Sequence, residues 1–292
     1  MRKIKSKVTA GVISILLIVM GYNISQQYRQ EYTSSYIDQT IYSETLDEHR
    51  KVFIRLPKTY DQNKQYPLII RSDGNFNLKR WDESLHSLSE QQLAEDTILV
   101  SIPNLFWQDT RNRDLVPPYA RKDVNIEARP ATENNPEIFG KADLFLAFIE
   151  KELIPHIEKQ FNVNQNRILS GFSAGGSFVL YTLVNKPELF TGYFAFSPAA
   201  WYDDSVVVKQ FSKHLANTSG KPLFLYLSLG AKENDIITGS FEGLLEALKT
   251  KAPKNLYWQS SYSADAGHAD NPFISVPKAL KAYDNFVESL KN

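Results

Sequence analysis

Apolar and polar positions fall into blocks of two lengths along this chain. Short apolar runs bounded by Gly, Pro or Asn occur at Pro67–Arg71, Thr97–Ile102, Arg167–Ser170, Tyr193–Phe196, Leu223–Leu227 and Leu256–Tyr262. Runs of that length without alternation predict strands buried on both faces. Tyr36–Tyr42 and Arg50–Leu56 flank the polar turn Ser43–His49 and predict a hairpin. Longer segments lie between the runs. Phe139–Phe161 sets Phe145, Ile149, Leu153, Ile157 and Phe161 on one helical stripe, with a kink expected at Pro155. Ala174–Asn185, Ser240–Lys251 and Val276–Leu290 also read as helices. About eight strands joined by helical crossovers imply an α/β domain: a mostly parallel sheet, opened by an antiparallel N-terminal hairpin and covered by helices on both faces. The polar, Pro- and Asn-rich stretch 103–138 lacks clear periodicity, and a loop of that length in a compact domain is usually functional, often as part of a pocket wall.

The first 24 residues follow another logic. Arg2, Lys3, Lys5 and Lys7 precede an almost unbroken apolar run, Val8–Met20, which is shorter than the roughly 20 residues that span a bilayer. A basic flank before such a run predicts a secretory signal peptide, with Val19-Met20-Gly21 a weak cleavage site, or an uncleaved signal anchor. No Cys follows the run, which excludes a lipoprotein anchor. Both readings export the body to the periplasm or another extracytoplasmic space, with membrane attachment in the second. Residues 25–35 are a polar linker, and the folded domain is expected over 36–292.

Composition narrows the chemistry. The 292 residues carry 33 Lys+Arg against 33 Asp+Glu and no Cys, so thiolate nucleophiles and thiolate metal sites are excluded. With the four N-terminal bases set aside, the body is mildly acidic, which disfavours nucleic acid as a partner. Dinucleotide and phosphate-loop fingerprints and the His-Glu-x-x-His motif are lacking, and five scattered His are a poor metal set, so neither cofactor nor metal is expected.

The sharpest chemical signal is Gly171-Phe-Ser173-Ala-Gly175-Gly176, directly after one predicted strand and before a predicted helix. In that setting Gly-x-Ser-x-Gly forms a tight turn that lifts the serine hydroxyl off the sheet, with the helix N-terminus behind it. The alternative is a glycine-rich turn whose serine merely caps the helix. A serine needs a base, and His268, in Ala266-Gly-His-Ala-Asp270 past the last strand, occupies the loop where an α/β-hydrolase carries it. The other four, His49, His86, His156 and His214, lie in a turn, in predicted helices or in a polar segment. The orienting carboxylate should follow the preceding strand, where Glu233 is the first choice and Asp235 the reserve; Asp203 and Asp204 read as turn acids. The backbone amides of Ala174 and Asn75 are the expected oxyanion donors. Arg111 and Arg113 could clamp an anionic substrate group or simply pair with Asp109 or Asp114. Trp107, Tyr119, Trp201 and Tyr202 are candidates for an aromatic pocket wall, Trp201 foremost.

These motifs resemble the Putative esterase family of the α/β-hydrolase superfamily, which includes feruloyl and siderophore esterases and mycolyltransferase-like proteins. Tyr66–Ile70, Asp73-Gly74, Thr110–Leu115, Gly140–Pro155, Gly171–Gly176 and Phe196-Ser-Pro198 with Trp201 are similar to a bacterial hydrolase branch near the ferri-siderophore esterases. The resemblance covers roughly residues 37–290 and implies an α/β-hydrolase fold, carboxylic-ester hydrolysis of a small-molecule ester, and an acid three residues after the glycine ending its strand. From Gly230, that acid is Glu233. Many relatives carry His-Gly where this chain has Asp73-Gly74. Acyl transfer by the same triad, or a membrane-tethered binder retaining the fold, are the competing readings.

Overall fold

The computed structural model describes residues 36–104, 110–122, 139–218 and 220–291. The expected export segment, the linker and Trp107 lie outside them.

Eight strands form one sheet in the order β1-β2-β4-β3-β5-β6-β7-β8. They are β1 (Tyr36–Ser43), β2 (Glu48–Arg55), β3 (Tyr66–Arg71), β4 (Ile98–Ser101), β5 (Val163–Phe172), β6 (Gly192–Phe196), β7 (Leu223–Gly230) and β8 (Leu256–Ser263). β1 pairs antiparallel with β2 and β2 antiparallel with β4, and every later pairing is parallel. Every residue of β3, β4, β6 and β7 is buried, whereas the edge strands β1 and β8 are largely open. That contrast is why the interior strands read as continuous apolar runs and the edges do not. This is the α/β-hydrolase fold.

The helices are α1 (Leu78–Glu90), α2 (Thr110–Leu115), α3 (Ala142–Phe148), α4 (Ile154–Gln160), α5 (Ala174–Asn185), α6 (Tyr202–His214), α7 (Asp235–Lys251) and α8 (Asn271–Ser289). Strand alternation divides the core between the two faces. Ile69, Leu99, Ile168, Phe194 and Phe224 point to one side and pack with Trp81 and Leu85 of α1 and Val276, Tyr283 and Phe286 of α8. Leu68, Ile70, Val100, Leu169 and Tyr193 point to the other and pack with α3 to α7.

Three departures from the sequence reading have physical causes. The kink expected at Pro155 is a π turn, Ile149–Leu153, between α3 and α4. Proline has no N–H for the preceding turn and its ring crowds the carbonyl there, so the ladder widens. Helix α6, not among the predicted helices, buries Val207 and Phe211, and Leu215 in the 3-10 turn after it continues the four-residue spacing. Its start is irregular, with Asp203, Asp204 and Ser205 all at left-handed φ. Within the long polar stretch, Thr110–Leu115 is helical.

Candidate active site

The elbow is built by close approach. A Cβ at Gly171 would lie 2.1 Å from the Gly175 carbonyl oxygen, and one at Gly175 would lie 2.3 Å from Ser72 Oγ. At Gly171 the obstacle is backbone and no side chain fits, while at Gly175 one would have to displace the Ser72 hydroxyl, so the strand turns into α5 within one residue. That residue is Ser173, held at φ 56°, ψ −116°, a conformation that costs a non-glycine residue about 1–3 kcal/mol. Flanking bonds fix it: Ser173 N–H donates to the Phe196 carbonyl (3.0 Å), and its carbonyl accepts from Ala199 N–H (2.9 Å). Contact of Gly175 with Ser72 also brings the loop after β3 against the elbow. The amides of Asn75 and Ala174 donate to no acceptor among the described residues.

Glu233 lies just past β7, and its side chain is wholly buried. One oxygen accepts from Gly230 N–H (2.9 Å) and from Ser197 Oγ. The other meets His268 Nδ1 at 2.6 Å. Burial works to raise this carboxyl, but the bonds from His268, Ser197 and Gly230 outweigh it and hold the group below the usual carboxylate range. Asp235, the reserve acid, is exposed at the start of α7, where Asn234 caps the helix through Ile237 N–H at 3.0 Å. The structure thus brings Glu233, not Asp235, to the histidine. The imidazole is about one-third exposed, and its ring lies 4.6 Å from that of Phe172, the residue before Ser173.

Two residues of this arrangement escaped the sequence reading. Ser197 stood inside a recognised tripeptide without a role. Asn271 carried no signal at all, yet it is fully buried. Its amide donates to Ser197 Oγ (2.8 Å) and Ser228 Oγ (3.0 Å) and accepts from Ser263 Oγ (2.7 Å) and Ser275 Oγ (2.8 Å). Every polar atom of that amide is used, so Ser197 is locked toward Glu233.

A family model described as Putative esterase matches residues 43–270. The chain belongs to the Putative esterase family. Among its relatives, the ferri-bacillibactin esterase BesA of Bacillus subtilis is 28% identical over 242 residues, covering 79% of this chain and 83% of the relative. The siderophore enterobactin esterase of Emericella nidulans is 32% identical over 176 residues, 55% of this chain and 56% of that one. Among solved structures, the BES protein of Bacillus cereus superposes with a TM-score of 0.74 at 25% identity, covering 85% of this chain and 96% of that one. The protein is accordingly a carboxylic-ester hydrolase.

In this esterase the arginines expected to clamp substrate are spent on the protein itself. Arg111 grips Asp73 bidentately, Nε to Oδ1 and Nη2 to Oδ2, both at 2.9 Å. Arg113 binds Glu48 through both Nη atoms (2.9 and 2.6 Å) and Asp114 through Nε (2.8 Å). Asp114 in turn holds Arg50 (2.7 Å) and Asn104 (2.9 Å), and Asn104 accepts from Asp73 N–H (2.9 Å). Both arginines therefore anchor the loop that carries Asn75. The aromatic residues separate as well. Tyr202 is in the core, Trp201 packs against its edge 6.4 Å away, and Tyr119 lies 6.1 Å from Tyr181. None of the three lines the cavity beside the elbow, whose aromatic wall is Phe76, Trp81, Phe172, Phe196 and Phe273. Among the described residues no cluster of His, Asp and Glu is arranged to hold a metal ion.

Proposed function

We propose that the protein is an exported serine esterase that works through Ser173, His268 and Glu233 on siderophore-type esters. Ser173 Oγ attacks the ester carbonyl while His268 takes its proton, and the amides of Ala174 and Asn75 hold the oxyanion. Glu233 stabilises the imidazolium through Nδ1. The alcohol leaves with the proton from His268, and water, activated by the same imidazole, releases the acid and regenerates the serine. The observation that carries this reading is the 2.6 Å bond from His268 Nδ1 to a buried carboxylate, with the histidine ring 4.6 Å from that of Phe172, the neighbour in sequence of the serine on its strained elbow. It is also supported by relatives whose names state siderophore ester substrates. Export rests on the basic flank and apolar run of Met1–Met20.

The purified full chain is expected to hydrolyse short p-nitrophenyl esters, and Ser173→Ala to lower kcat by about 10⁴-fold or more. Unchanged turnover in that variant discards the nucleophile. Competition among siderophore, feruloyl and simple acyl esters then ranks the substrates by kcat/KM, and preference for a simple acyl ester removes the siderophore assignment. Fractionation of cells with an antibody to the folded domain tests export, and a cytoplasmic signal rejects it.

A further inference from the structure

Between α1 and α8 opens a cavity of about 860 Å³, within the size range of small-molecule sites. Gly171, Phe172 and Ala269 border it, so it abuts the elbow and the histidine loop, but Ser173, Glu233 and His268 do not line it. Its surface is mostly apolar, interrupted by polar residues that include Arg71, Asp73, Arg80, Glu83 and Arg111. Arg71, the last residue of β3, is 5% exposed. Its Nη2 donates to the carbonyls of Asp73 (3.0 Å) and Phe76 (2.5 Å), and its guanidinium lies 5.2 Å from the centre of the Trp81 ring. Nη1 is buried and has no hydrogen-bond partner. Among the described residues no carboxylate reaches ion-pair distance of this side chain. The carboxylate nearby in the field is Asp73, and both its oxygens are taken by Arg111. Two guanidiniums thus share one carboxylate, and the surplus charge lies in the wall of the cavity. Burial draws Arg71 down to about 10, so it remains a cation at neutral pH. A second cation, the exposed Arg80, stacks over Phe273 at 3.9 Å, while Glu83 is engaged by Lys79 at 3.8 Å.

A buried unpaired charge is strongly unfavourable unless something completes it. We propose that this cavity is a binding site for an apolar carboxylate, its anionic end on Arg71 and its aromatic or aliphatic body between Trp81, Phe172 and Phe273. Arg71, Arg80 and Arg111 face Asp73 and Glu83 in the lining, and that single surplus cation matches a monoanion rather than a dianion. Such binding does not require the triad and goes beyond the esterase reading.

The test titrates 4-phenylbutyrate and its isosteric amide, 4-phenylbutanamide, by calorimetry into the full chain carrying Ser173→Ala, so that turnover does not intrude. The carboxylate is expected to bind at least about tenfold more tightly than the amide, since charge-assisted bonds are the strong ones. Arg71→Met should erase that preference and Arg80→Gln should reduce it by less than about fivefold. Equal binding of the two ligands, or a preference that survives Arg71→Met, overturns the proposal. Should Arg71→Met fail to fold, Arg71→Lys and Ser84→Trp decide. The first removes the planar fork and the second fills the cavity, so an unchanged preference in both overturns it equally. An active Ser173→Ala enzyme would reject the nucleophile and leave this titration readable, so the two readings fail separately.

Discussion

Glu233 and Asp73 are both buried carboxylates at the mouth of this sheet, and they are held in opposite ways. Asp73, whose side chain is 6% exposed, is neutralised by a bidentate guanidinium. Glu233 is held by a hydroxyl, a backbone amide and one imidazole. On the proposed mechanism, the difference follows from what each charge must do. A carboxylate that only fixes a loop can be neutralised permanently, and bidentate geometry adds direction to the bond. A carboxylate that must answer an imidazolium appearing during a reaction has to keep its charge available, so its fixed partners are neutral donors. The hydrogen bonds, rather than a second cation, keep Glu233 ionised despite its burial.

The largest expected effect breaks the Glu233 side. Glu233→Gln keeps the shape but removes the charge, and it reverses a hydrogen bond, so the imidazole loses its orientation. On the proposed mechanism kcat for p-nitrophenyl ester hydrolysis should fall by about 10³–10⁴-fold. Asp235→Asn, at an exposed helix start, should change it by less than about twofold. A larger loss in the second variant than in the first reverses the assignment of the acid.

What the sequence could disclose divides along similar lines. The interior strands were legible because burial on both faces forces continuous apolar runs, and β3, β4, β6 and β7 lie within or close to those runs. The elbow was legible because its glycines and serine stand within six consecutive residues, although only Gly171 meets a neighbour in that motif while Gly175 meets Ser72 and Gly176 meets Pro198. Helix α6 was not, since past its left-handed first turn its buried apolar positions are only Val207 and Phe211. Asn271 is a polar residue whose meaning arises only where β6, β7, β8 and α8 converge. Arg111 showed a charge in the sequence but not its partner, because Asp73 stands 38 residues earlier. A clamp on substrate and a clamp on the protein's own loop look identical until the chain folds.

The next effect breaks the Asp73 side. Arg111→Met leaves the Asp73 carboxylate buried without its guanidinium, which should cost about 3–5 kcal/mol of stability in urea denaturation. Because Asp73 carries the turn to Asn75, kcat should fall by about 10–100-fold as the amide proposed to hold the oxyanion loses its position. Asp73→Asn in the same chain removes the stranded charge, so the double variant should recover most of the stability but not the rate. Additive losses in the double variant would mean that the two side chains do not act as a pair.

The smallest effect sharpens the comparison through pH. Glu48 belongs to the ionic side of the site, since it holds Arg113, which holds Asp114, which holds Asn104 and through it Asp73. Burial works to raise its carboxyl, but the bonds from Arg113 and Arg50 overcome this and draw it down to about 2. The folded value therefore lies below the unfolded one of about 4.3. Stabilisation by this carboxylate is complete above that unfolded value and is lost as pH falls toward the folded one. At neutral pH Glu48→Gln should cost about 1–2 kcal/mol, a modest figure because the side chain keeps some contact with solvent. Urea midpoints at pH 7, 5, 3.5 and 2.5 should show the gap between wild type and variant unchanged over the first two and closing over the last two. A gap that holds constant to pH 2.5 would show that the carboxylate's charge contributes nothing, leaving Arg113 to be held by Asp114 alone.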